Sequence, residues 1–109
     1  MQPISDLIHQ FKESDGDPSV VAAWWARDPP VPAELVAVSE QIGAMYLSSS
    51  LTYSLANGLM NQLMPLAGWE AAPVRFWQYY VALEDAETLA DPDPQAKLAV
   101  QAVANQGAA

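Results

Sequence analysis

The chain has 109 residues, one domain's worth, and 51% of them are hydrophobic, which is enough to bury a core and rules out wholesale disorder. Thirteen acidic residues against four basic ones leave a net charge of −9, which argues against nucleic acid as a direct ligand and against docking on anionic lipid. With no cysteine and a single histidine, disulfides, thiolate metal sites, a cysteine nucleophile and a multi-histidine metal site are excluded within one chain.

Met1-Gln2-Pro3-Ile4-Ser5-Asp6 offers neither the positive start nor the apolar run of a secretory leader, so a cytoplasmic protein is expected. Ser5 then reads as the N-cap of a short helix, with Ile4, Leu7, Ile8 and Phe11 on one stripe. Ser14-Asp15-Gly16 closes it as a turn. Asp17 and Pro18 form the cap-plus-proline start of a second helix. It carries Val20, Val21, Trp24 and Trp25 and stops before Pro29-Pro30-Val31-Pro32, a short stiff connector.

From Ala33 to Met64 there is no proline, and Leu35, Val38, Ile42 and Met45 advance by heptad steps. The steps continue through Ser49, Thr52, Ala56, Leu59 and Leu63, and Leu47, Leu51 and Leu55 make a second apolar row. This spacing predicts one long central helix. Its length would be about 48 Å at 1.5 Å per residue, against a diameter of about 34 Å for a compact chain of this size. The protruding end, still apolar on two faces, predicts a homodimer. Two alternatives stay open. Leu51-Thr52-Tyr53-Ser54-Leu55 alternates with period two ahead of Asn57-Gly58, as a hairpin would, and Asn57-Gly58 is also where a long helix would break.

Pro65 and Gly68 end this element, and Pro73 opens a helix from Val74 to about Leu89. Asp93-Pro94 starts a last, weak helix from Gln95 to about Ala104, followed by a fraying tail, Gln106-Gly107-Ala108-Ala109. The expected architecture is all-α: one helical domain over 1–109, a small bundle of four to five helices with one long central helix. Residues 41–69 carry no formal charge, but their serines and asparagines and the lack of flanking Lys or Arg argue against a membrane span.

Chemistry-bearing groups are few. His9 lies one turn from Asp6 and Ser5, yet three neighbours on one short helix cannot supply the geometry of a catalytic triad. Glu13, Asp15 and Asp17 lack the twelve-residue ligand pattern of a calcium loop. Glu84, Asp85, Glu87, Asp91 and Asp93 make a second acidic run, read first as a solvated face. No metal or cofactor is expected.

The aromatic pairs are more informative. Trp24-Trp25, Phe76-Trp77 and Tyr79-Tyr80 are adjacent, so on a helix their members point about 100° apart. One member of each pair should fill the core and the other should lie at the rim or under a partner. Trp, Tyr and Arg anchor protein interfaces, and Arg75 stands beside the second cluster. The candidate partner-binding residues are therefore Trp24, Trp25, Leu47, Leu51, Leu55, Arg75, Phe76, Trp77 and Tyr80.

In size, charge and lack of catalytic groups, the chain resembles in kind the small all-helical bacterial proteins that inhibit a larger machine by binding it. Antiactivators of LuxR-type quorum-sensing regulators, anti-CRISPR proteins and toxin-neutralising immunity proteins are of this kind. The expectation is a non-enzymatic regulator that sequesters a protein partner, for example a transcriptional regulator, through an apolar, aromatic helix face. The alternatives are a DNA-mimic inhibitor of a nucleic-acid enzyme, and a small-ligand-binding protein or enzyme with an aromatic pocket.

Overall fold

The computed structural model describes residues 4–108, which form six helices and no strand. They are α1 (Ile4–Glu13), α2 (Pro18–Arg27), α3 (Pro32–Leu47), α4 (Tyr53–Ala67), α5 (Val74–Glu84) and α6 (Pro92–Ala108). Met1–Pro3, read above for a leader, and Ala109 lie outside the described residues. The all-α expectation holds; the long central helix does not.

α1 buries Leu7, Ile8 and Phe11 on the expected stripe, and Ser5 lies inside the helix rather than capping it. Asp15 and Gly16 turn the chain through positive φ, and the Asp17 carboxylate accepts from Ser19 N–H at 2.9 Å to open α2. α3 starts on Pro32, where a missing N–H costs nothing, and Glu34 reaches back to accept from Val31 N–H at 2.9 Å.

The expected long helix stops at Leu47. Ser49 adopts φ +65°, and the Ser49 and Ser50 N–H groups donate to the Tyr46 and Met45 carbonyls at 3.0 and 2.8 Å. That is the double bond of a Schellman cap, built here on serine instead of glycine. Leu51, only 2% exposed, plugs the reversal into the core, and the Thr52 hydroxyl accepts from Leu55 N–H to start α4. The serine run competes for backbone hydrogen bonds and so favours an end over a continuation. Asn57 and Gly58, offered above as a break or a hairpin turn, sit inside α4. Pro65 occupies the last turn, and Gly68 at φ +80° ends the helix.

Once α3 and α4 are separate, nothing protrudes. The radius of gyration is 12.8 Å and the extents are 35 × 30 × 23 Å, as expected for a compact chain. α3 packs on α5 and α6, α4 on α5, and the α1–α2 hairpin closes one end over α3 and α4. Two tyrosines pin the layers. Tyr46 donates to Asp93 Oδ1 at 2.6 Å across α3 and α6, and Tyr53 donates to the Leu83 carbonyl at 2.6 Å across α4 and α5. At Gly43 the α3 backbone lies against the Tyr79 ring so closely that a Cβ there would come within 2.5 Å of it. α5 ends at Glu84, earlier than expected, in tight turns from Asp85 to Leu89. α6 starts earlier and runs past the expected fray through Gln106 to Ala108.

Two substitutions test this account. Ser49→Gly relieves the left-handed serine and is expected to raise stability by about 0.5–1 kcal/mol, read as a higher denaturation midpoint. Gly43→Ala forces the Tyr79 ring to move and is expected to cost about 1–3 kcal/mol in the same assay. Because Leu51 belongs to the core of its own chain, Leu51→Glu is expected to unfold the protein rather than split a dimer.

Candidate protein-binding surface

α5 carries two faces of opposite fate. Phe76, Tyr79 and Leu83 recur at helical spacing and are buried. Val74, Trp77 and Val81 recur on the other side, with Val74 75% and Val81 42% exposed. Each adjacent aromatic pair is divided as expected: Phe76, Tyr79 and Trp24 are core, while Trp77, Tyr80 and Trp25 are half-buried.

Trp69, in the bend after Gly68, completes a three-ring cluster. Its ring lies 6.0 Å from Trp77 and 5.7 Å from Tyr80, and the latter two lie edge to face at 5.5 Å. The Trp77 indole N–H donates to the Trp69 carbonyl at 2.9 Å, which fixes the bend on α5. Trp69 remains 48% exposed. Beside this cluster α5 and α6 flank a shallow, open groove of about 500 Å³, with Val74, Trp77 and Val81 along one side and Ala99, Ala102 and Val103 along the other. Asp85 lies at its end. The rings and the groove form one surface, joined by Trp77.

The nine candidate residues do not form one patch. Trp24, Leu51 and Phe76 are core side chains, so they are not available to a partner on this surface. Leu47 and Leu55 are half-buried and pack on the core. Arg75 is bound within the chain: it donates to the Val103 carbonyl at 2.6 Å, contacts the Tyr79 hydroxyl and lies 5.0 Å over that ring. It holds α5 to α6. Trp25 stacks edge-on against Trp24 at the far side of the molecule's sequence, on α2. Trp77 and Tyr80 alone belong to the surface around Trp69. Sequence reasoning missed Val74 and Val81, although their 3-and-4 spacing with Trp77 was readable. Trp69 carried no periodic signal, because it sits in a bend.

The other chemistry-bearing groups are held in local contacts. His9 Nε2 lies 3.1 Å from Glu13 Oε1 on the exposed face of α1, so its partner is Glu13. Asp17 serves as a cap, and the Ser19 N–H lowers its pKa. No three His, Cys, Asp or Glu side chains form a metal-holding group among the described residues. No described helix is long and apolar enough to cross a membrane. Of the second acidic run, Asp93 accepts from Tyr46, and Glu84 is half-buried with its Oε2 unpartnered. Burial and the Asp93 carboxylate raise the Tyr46 pKa, and burial with repulsion from Glu87 and Glu84 raises that of Tyr53 to about 12. A second cavity, lined by Tyr46, Leu51, Tyr53, Asp93 and Lys97, measures about 470 Å³. Its charged groups are already engaged, Asp93 by Tyr46 and Lys97 by the Ser49 hydroxyl at 3.1 Å. No family model, no curated protein and no solved structure matches the chain.

Glu84 gives the stability of the fold a pH dependence. Hydrogen bonding with the Glu87 carboxyl and burial hold its pKa above the ordinary value, and the Asn61 amide opposes them. A raised pKa means a contribution to stability that is full below the ordinary Glu value and is lost as pH rises through the folded value. Glu84→Gln is therefore expected to raise the melting temperature at about pH 7.5, with the gain over wild type vanishing toward about pH 4.

Proposed function

We propose that the protein is a non-enzymatic regulator that sequesters a larger protein, such as a transcriptional regulator, through the surface around Trp69, Trp77 and Tyr80. One observation carries this reading. After the core is complete, three contacting aromatic rings and the exposed Val74 and Val81 remain together at the surface. Contiguous apolar surface of this kind is costly to leave in water, and large aromatics anchor interfaces. The DNA-mimic reading loses support, because Asp93 of the acidic run is engaged by Tyr46 and Glu84 is half-buried, which leaves fewer carboxylates to imitate phosphate. The small-ligand reading retains one observation in its favour, the cavity between Tyr46 and Tyr53.

A homodimer, expected from a protruding helix, loses that ground with the compact shape. Two chains of −9 each also repel, which opposes self-association.

A photoreactive phenylalanine analogue at position 81 is expected to give one stoichiometric adduct in native lysate, and the same analogue at Val31 none. Trp69→Ser is expected to weaken capture of that partner by about 2 kcal/mol, roughly thirtyfold, while leaving the fold intact. No adduct at position 81, or unchanged capture by Trp69→Ser, would reject the reading.

A further inference from the structure

The groove between α5 and α6 specifies its occupant more closely than the ring cluster does. We propose that it receives one amphipathic helix of the partner, apolar over about three turns and carrying Lys or Arg where it meets Asp85. The proposal rests on the protein-binding reading above and adds to it the chemistry of the partner.

Length comes first. From Val74 to Asp85 the groove follows α5 for about 16 Å, three turns of helix. A strand could not add here, because strand addition needs a free sheet edge and every described element is a helix. A helix can lie between two others when small side chains line the channel, and Ala82, Ala99 and Ala102 supply them. The partner then offers aliphatic or aromatic residues at 3-and-4 spacing against Val74, Trp77 and Val81.

Charge decides between a second copy and a foreign chain. The chain has four Lys and Arg side chains, and none is free at this groove. Arg75 is bound to the Val103 carbonyl and Tyr79, and Lys97 to Ser49. Lys12 and Arg27 lie in the last turns of α1 and α2. Among the described residues Asp85 is the one charged group lining the groove, with Glu84 and Glu87 beside it in sequence. A second copy packed through this same face would bring a second Asp85 and no lining cation to neutralise the first. A basic partner would supply that cation, and its approach would be favoured by the net charge of −9.

The probe is an acetylated, amidated peptide of about fourteen residues with leucines on one helical face and lysines in its end turns. Its controls are the same composition in scrambled order and the same peptide with glutamate for lysine. Binding is read by calorimetry, and its location by amide shifts of the labelled protein. At low ionic strength the lysine peptide is expected to bind about fivefold tighter than the glutamate peptide, a gap that narrows as salt screens it. Shifts should concentrate in α5 and α6, Val81→Asp should abolish binding, and Val31→Asp should leave it unchanged. Asp85→Lys should invert the preference between the two peptides. Equal binding of the scrambled peptide, shifts elsewhere, or an unchanged preference in Asp85→Lys overturns the proposal. So does a wild-type dimer in sedimentation equilibrium that Val81→Asp dissociates, since the occupant is then a second copy. If a partner cross-links at position 81 and depends on Trp69 while the peptides fail, this inference falls and the protein-binding reading stands. If neither occurs, both fall.

Discussion

The left-handed backbone at Ser49 lets α3 stop after Leu47 and α4 begin at Tyr53, and the rest of the core is arranged around that reversal. Two consecutive N–H groups satisfy carbonyls that a continuing helix would have used, and Leu51 is carried inward as the chain turns. The two apolar rows then face elements of the same chain. Leu35, Val38 and Ile42 meet the α5–α6 layer, and Leu59 and Leu63 join the same buried cluster from α4. A turn of five residues thus converts an extended apolar rod into two layers of a closed bundle.

α5 lies at the centre of this arrangement and explains where the surface is. Its inner face must fit under α3, close enough that Gly43 has no room for a side chain beside Tyr79. Arg75, braced by the Tyr79 hydroxyl on the same helix, ties it to α6, and Tyr53 ties its last turn to α4. With those faces committed, the remaining side of the helix carries Val74 and Val81 exposed and Trp77 half-buried. Trp69 then folds over Trp77 and Tyr80, covering part of this apolar area without closing it.

The polar groups between the layers are committed to one another. Tyr46, Asp93, Lys97 and Ser49 join α6 to the α3–α4 turn, and each is occupied by another member of the group. Their role as cross-braces explains raised tyrosine pKa values without any reacting atom. Asp85 and Glu87 of the second acidic run remain exposed at the surface.

Helix type, the cap at Asp17, the end at Gly68, the starts at Pro18 and Pro73 and the division of Phe76-Trp77 and Tyr79-Tyr80 into core and rim were legible in the sequence, whereas α3 starts on Pro32 and α6 on Pro92, ahead of the expected Ala33 and Gln95. Each of these follows from local geometry: a cap needs a side-chain oxygen within a turn, and adjacent residues on a helix diverge by about 100°. The end of α3 was not legible, because Ser48-Ser49-Ser50 is compatible with a poor stretch of helix as well as with a cap. Packing of Leu51 into the core decides between them, and that is a contact with distant residues. The same holds for the candidate surface. Trp24 and Phe76 were candidates as members of adjacent aromatic pairs and Leu51 as part of the second apolar row, and all three are buried in the core. Trp69, Val74 and Val81 became a surface when α5 and α6 packed side by side. Local spacing determined which elements form and which way each residue points from its own helix. Which of those directions meets protein and which meets water was decided by tertiary packing, because exposure depends on what the rest of the chain leaves uncovered.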